Sequence, residues 1–140
     1  MQKFLRLEFI AASPDLGLLL LRLCLGVSML LLHGWGKLAA HGANHSLFSL
    51  GGFPDPLHIG QTPSLLLTIL AEVGCSVLLV LGLYTRMAAF LLAFTMGVAF
   101  FLVNSMQLLN NPGGELAWLY FGGYLVLFCA GAGKFSLDRK

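Results

Sequence analysis

The sequence is poor in charge. Only 10% of its 140 residues are Asp, Glu, Lys or Arg, whereas a soluble domain carries roughly 25%. Hydrophobic residues make up 58% of the chain, and its mean hydropathy is +0.87. The net charge of +2 is small and the basic residues form no block, which excludes a nucleic-acid partner. A chain of this composition is predicted to be an integral membrane protein.

Residues that hold metals or redox centres are also scarce. The three cysteines are isolated in apolar stretches and form no Cys-x-x-Cys pair, so each is interpreted as a small buried hydrophobe. Only His33 of the four histidines falls at an apolar stretch, whereas a haem between helices typically needs two. His41 and His45 have helical i, i+4 spacing, but no cysteine or carboxylate completes a metal site. We therefore expect neither a haem nor a metal.

Four apolar stretches are each long enough to cross a bilayer, which takes about 20 helical residues. They lie at about residues 16–33, 64–83, 87–106 and 115–132. Ser13 followed by Pro14 is typical of a helix N-cap with proline in the first turn. The short link between the second and third stretches makes them antiparallel neighbours. The predicted fold is all-α, an integral membrane four-helix antiparallel bundle in a single domain.

The longest segment outside these stretches covers residues 38–63 and is rich in Gly, Pro and His. We expect a loop there, with a short interfacial helix near residues 47–50. Most Lys and Arg residues fall on the side of the bundle that holds both termini, against Lys37 alone on the other side. The positive-inside rule therefore predicts that both termini are cytoplasmic and that the loop faces outward.

Two charged residues, Arg22 and Glu72, lie well inside apolar stretches. Burying either one there costs several kcal/mol unless it is paired, protonated or facing water. At about 100° per residue, Arg22 shares one helix face with Gly26, His33 and Lys37. The economical arrangement packs this polar face on the helix that carries Glu72. The direct partner of Glu72 stays open between Arg22 and the His33 and Lys37 pair.

A buried ion pair can serve only to fix helix register, but ionisable groups inside a membrane mark ligand or proton paths. We therefore predict a pocket between the helices, beneath the 38–63 loop. The predicted site residues are Glu72 and His33 for proton transfer, with Arg22, Lys37, Ser76 and Trp118 for binding the ligand.

Six short motifs stand in order along the chain. They are Arg22-Leu-x-Leu-Gly26, His33-Gly34-x-x-Lys37, Ala71-Glu72-x-Gly74, Leu81-Gly82-Leu-x-Thr85-Arg86, Glu115-Leu-Ala-x-Leu-Tyr120 and Gly131-x-Gly133-x-x-Ser136-Leu-Asp138. Their order and spacing resemble the DoxX family of small bacterial membrane proteins, over nearly the whole chain. The resemblance implies a four-helix bundle in the bacterial cytoplasmic (inner) membrane and a link to quinone-dependent redox systems and thiol homeostasis.

The predicted function is that of a membrane subunit of a redox system that binds a quinone or a similar amphipathic small molecule. A second interpretation is a non-catalytic membrane anchor or assembly subunit for soluble redox enzymes. A third is a small proton-coupled transporter, although the sequence shows no inverted repeat. Expected partners are the lipid bilayer, the quinone, soluble redox enzymes and a second copy of the chain.

Overall fold

The computed structural model describes residues 13–43, 53–108 and 111–138, without the side chains of residues 40–43. Within these ranges the chain is helical and contains no strand. Four helices are long and apolar enough to cross a membrane: span 1 (Pro14–Ala39), span 2 (Gln61–Leu81), span 3 (Thr85–Val103) and span 4 (Pro112–Ala130). The predicted all-α membrane bundle is confirmed. The interfacial helix predicted near residues 47–50 lies outside the described residues.

Spans 1 and 4 begin with similar local chemistry. Ser13 Oγ accepts a hydrogen bond from the amide of Leu16 at 3.3 Å, and Asn111 Oδ1 accepts the amides of two glycines in the first turn of span 4. A proline follows each cap, at a position whose missing N–H has no helical partner. The cap predicted at Ser13 is therefore present.

The helix of span 1 is longer than the sequence predicts. It continues through a segment at Trp35–Ala43, and span 2 already begins at Gln61. The loop predicted at residues 38–63 is therefore wrong at both of its ends. The physical reason on the first side is that no proline interrupts the helix after Trp35, while Lys37 forms an ion pair with span 2 that holds this extension in place.

The core lies between the four spans, and span 1 contributes Met29 to it. Span 3 contributes small buried residues that let span 4 approach closely, and larger side chains from spans 2 and 4 fill the space beside them. The core residues are Met29, Cys75, Leu79, Ala88, Ala89, Leu92, Ala93, Met96, Tyr120, Tyr124 and Leu127. The remaining large apolar side chains mostly point away from the bundle, as expected where lipid is the solvent.

Three of the spans contain a π-helical segment: Met29–Gly34 in span 1, Leu70–Cys75 in span 2 and Ala99–Val103 in span 3. Such segments widen the helix locally and are frequent at functional sites. His33 lies in the first segment and Glu72 in the second. Two of the ionisable residues picked out from the sequence therefore occupy irregular helix geometry.

Residues 131–138, here called the tail, fold back across one end of the bundle. The Asp138 carboxylate accepts the amides of Tyr84 and Thr85 at 2.8 and 2.7 Å, and these bonds lower the pKa of Asp138, with the Thr85 amide first. The Asp138 amide donates to the carbonyl of Gly82 at 2.9 Å. Asp15 on span 1 accepts the amide of Lys134 at 3.0 Å. The tail thus connects three spans at what we call the tail end; Lys37 lies at the opposite loop end.

Candidate functional site

The charged centre of the site is an ion pair between spans 1 and 2. Lys37 Nζ donates to both carboxylate oxygens of Glu72, at 2.6 and 2.5 Å. The Glu72 side chain is 3% exposed and the Lys37 side chain 27%. The structure therefore pairs Glu72 with Lys37, one of the two alternatives that the sequence leaves open.

A glycine makes this pairing geometrically accessible. A Cβ atom at Gly34 would lie 2.8 Å from Val73 Cγ2 and 3.2 Å from the carbonyl carbon of Glu72. Only glycine lets the two helix backbones approach this closely. Lys37 then follows one turn after Gly34, so its side chain lies over the carboxylate of Glu72.

An apolar groove of about 460 Å³ begins at this ion pair and runs between spans 2 and 3. Its volume is in the range of small-molecule binding sites, about 300–1,000 Å³. Besides Lys37 and Glu72, the lining is dominated by apolar side chains of the two spans, among them Leu67, Leu70, Ala71, Leu91, Phe94 and Val98. The groove therefore combines one charged end with a long hydrophobic body.

The hydroxyl groups along the groove are already engaged. Thr68 donates to the carbonyl of Ser64 at 2.8 Å and Thr95 to that of Leu91 at 2.9 Å. Lys37 has three N–H groups, of which two are directed at Glu72. No residue that the structure describes accepts a further hydrogen bond from Lys37. Within the described part of the chain, this ammonium therefore has an N–H group left to offer a ligand in the groove.

A short segment from Phe53 to Ile59 covers the loop end of the groove. Asp55 holds it in place, since its carboxylate accepts the amides of Ile59 and Gly60 at 3.2 and 2.8 Å and the Ser64 hydroxyl at 2.7 Å. The Ser64 hydrogen bond is the main reason why the pKa of Asp55 is lowered. This segment, here called the roof, is thereby attached to the first turn of span 2.

Arg22, predicted from the sequence to bind the ligand, lies outside this groove. Its side chain is only 1% exposed, and its guanidinium donates to the carbonyls of Ala132 and Phe135 at 3.2 and 2.6 Å. The tail, which the sequence analysis describes only as a motif, supplies these acceptors. The predicted polar face therefore divides into an Arg22 centre at the tail end and a Lys37 centre at the loop end.

His33 also lies outside the residues that line the groove. Its ring packs edge-on against Tyr120 with centroids 5.7 Å apart. The Tyr120 hydroxyl donates to Ser28 Oγ at 2.9 Å, and Ser28 donates to the carbonyl of Cys24. The imidazole thus borders a short polar chain between spans 1 and 4.

Two other predicted binding residues are elsewhere. Ser76 is fully buried where spans 1 and 2 meet at Gly26. Trp118 belongs to an aromatic cluster, with its ring 5.0 Å from that of Phe100 and 5.8 Å from that of Phe121. Neither lines the groove. The sequence could not place them, because helix periodicity gives the face of a residue but not which neighbouring helix covers it.

The apolar residues that form the groove cannot be recognised from the sequence. Leu67, Leu70, Leu91 and Phe94 lie in continuous hydrophobic stretches, where no residue type distinguishes a groove from a lipid-facing surface. Asp55 gives a weak signal, because an aspartate between two prolines is typical of a turn that caps itself.

Comparisons with known proteins give a family match and two relatives. The DoxX family matches residues 17–105. An uncharacterized protein of Haemophilus influenzae is 41% identical over 83 residues, which cover 56% of this chain and 62% of that protein. The chain thus matches less than two thirds of that relative's length. The inner membrane protein YqjF of Escherichia coli K12 is 29% identical over 133 residues, covering 89% of this chain and 92% of YqjF.

No solved structure matches the chain. The family match nevertheless extends over most of spans 1 to 3 and includes both Lys37 and Glu72. The chain belongs to the DoxX family of membrane proteins.

Proposed function

We propose that this protein binds a quinone, or an amphipathic molecule with a similar uncharged head, as the membrane subunit of a redox system. The observation that carries the proposal is the apolar groove that ends at the Lys37–Glu72 ion pair. A quinone has a carbonyl-bearing ring that accepts hydrogen bonds and an apolar body. The groove supplies a donor at one end and hydrophobic walls along the rest.

Lys37 would donate a hydrogen bond to a quinone carbonyl while it keeps Glu72 as its counter-ion. Reduction of a quinone to a quinol takes up two electrons and two protons. The electrons would come from a partner redox enzyme. Glu72, ionised while it pairs with Lys37, would first take up a proton from water at the interface and then pass it to the reduced carbonyl oxygen. His33 would serve as the second proton-transfer group on the span 1 side.

The proposed location is the bacterial inner membrane, with both termini in the cytoplasm. The E. coli relative YqjF is named an inner membrane protein, which supports this membrane. Arg86 and Lys134 lie at the tail end, and the positive-inside rule assigns that end to the cytoplasm. The groove would then open in the outer half of the bilayer.

The test is quinone binding by the purified protein in lipid nanodiscs. A ubiquinone with a single isoprenoid unit is titrated while tryptophan fluorescence is recorded. Glu72→Gln removes the charge that holds Lys37 in the groove, and we expect it to weaken binding about tenfold or more, as for the loss of one charge-assisted hydrogen bond. Lys37→Met removes the donor itself and should weaken binding at least as much.

Glu115→Gln is the matched control, because this glutamate is exposed in the first turn of span 4 and makes no contact with the groove. Circular dichroism checks that each variant is folded. Equal affinity of the Glu72→Gln variant and the parent protein would refute the proposal. A different result would favour the assembly-subunit interpretation. In that case the protein binds no quinone, and a soluble redox enzyme co-purifies stoichiometrically with both the parent protein and the Glu72→Gln variant.

A further inference from the structure

The charge balance of the groove restricts the head of its ligand. Lys37 and Glu72 form a pair with no net charge, and Glu72 is almost completely buried. An anionic head would add an uncompensated negative charge beside that carboxylate, whereas a cationic head would compete with Lys37 for it. An uncharged hydrogen-bond acceptor satisfies the remaining donor capacity of Lys37 without disturbing the pair.

The groove has a lateral opening at the level of the lipid chains. Leu70 on span 2 is 70% exposed and Phe94 on span 3 is 56% exposed, although both line the groove. These side chains therefore have one side towards the cavity and another towards lipid. The first helical segment of span 2, Gln61–Ile69, makes few close backbone approaches to the other spans, which leaves the gap beside span 3 open.

At the loop end, residues that the structure describes cover the groove. The roof residues Phe53, Leu57 and Ile59 lie over the groove there, and the hydrogen bonds of Asp55 hold the roof to span 2. A chain attached to a head at Lys37 would have to displace this segment to leave towards the loop end. The route between Leu70 and Phe94 requires no such displacement.

From this geometry we infer that the ligand is a lipid with a single long chain and an uncharged head, bound with its chain leaving between spans 2 and 3 into the bilayer. The inference rests on the proposed function and specifies the class of its ligand. The groove of about 460 Å³ holds the head and the first part of the chain. The rest of the chain stays among lipid chains, which are as apolar as the leucines of the opening.

Two ubiquinones that share one head, with one and eight isoprenoid units, distinguish this arrangement from a closed pocket. In nanodiscs, with concentrations expressed per lipid, we expect their affinities to agree within about threefold. The reason is that the additional isoprenoid units lie among lipid chains both before and after binding. A long-chain affinity more than about tenfold weaker than the short-chain affinity would overturn the inference while leaving the proposed function intact.

The exit route is tested with a ubiquinone that carries a photoreactive diazirine partway along its chain. We expect mass spectrometry to find the label on the opening residues Leu67, Leu70, Leu91 and Phe94. Labelling of the roof residues instead would overturn the route.

Leu67→Trp should narrow the opening and weaken binding of the long-chain compound more than binding of the short-chain one. Leu119→Trp, on the lipid-facing side of span 4, should change the affinity of neither compound.

Failure of the proposed function has a different signature. If neither ubiquinone binds, the groove is tested with a diazirine probe that has a single chain and a plain alkyl ketone head in place of the quinone. Labelling of the opening by that probe would support a single-chain lipid of another kind. Absence of that labelling, or its loss when anionic phospholipid is enriched in the nanodisc, would overturn the inference.

Discussion

The unequal burial of Lys37 and Glu72 predicts that their substitutions have unequal costs. Lys37→Met leaves the Glu72 carboxylate, whose side chain is 3% exposed, without its partner inside the bundle. Leaving one charge of a buried pair uncompensated costs about 3–5 kcal/mol. Glu72→Gln leaves Lys37, which is 27% exposed and can turn its ammonium towards the interface. We expect that variant to lose about 1.5 kcal/mol, as for one charged hydrogen bond.

The double variant Lys37→Met/Glu72→Met completes the cycle. Because it leaves no charge behind, its stability should lie within about 1–2 kcal/mol of the parent protein, above that of Lys37→Met alone. The assay is reversible unfolding in mixed micelles with increasing SDS, followed by circular dichroism. The reasoning would be refuted if Glu72→Gln cost as much as Lys37→Met, or if the double variant were less stable than Lys37→Met.

Two further predictions concern the close contacts of the fold. Asp138→Asn should lower the free energy of unfolding by about 1 kcal/mol, because the carboxylate caps the start of span 3. The folded pKa of Asp138 is lowered. The stabilisation that its carboxylate provides is therefore present above the unfolded pKa of about 3.9 and is lost as the pH falls towards the folded pKa. In the same assay, the parent protein should lose more stability between pH 5 and pH 3 than the Asp138→Asn variant does. Gly34→Leu should separate spans 1 and 2 at Val73 and abolish quinone binding, whereas Gly36→Leu, where an added Cβ meets nothing within 4 Å, should retain it in the nanodisc titration.

The helices themselves are predictable because each follows from local chemistry. Ser13 and the proline after it define the start of span 1, and four apolar stretches of sufficient length define the number of spans. Both signals act within about 20 residues of sequence. Neither requires knowledge of what packs against the helix, so the all-α membrane fold can be argued from the sequence.

The partners of the charged residues are a different kind of problem. From the sequence, Glu72 is about as deep as Arg22 if the first helix starts late, but closer to Lys37 if it starts early. The pairing of the charges therefore stays open at that stage. The structure separates them because Gly34 brings Lys37 against Glu72, while the tail supplies carbonyls to Arg22. Main-chain carbonyls carry no signature in the sequence. An arginine that they satisfy is indistinguishable, from residue types alone, from one that awaits a carboxylate or a ligand.

The connection between Arg22 and the tail also has a consequence for the order of events during synthesis. Its two acceptors lie 110 and 113 residues further along the chain. At about 5–20 residues per second, the ribosome needs on the order of ten seconds to produce them after Arg22 has been made. During that interval the first span holds a guanidinium without its final partners. Span 1 can therefore complete its burial only after the tail has been translated.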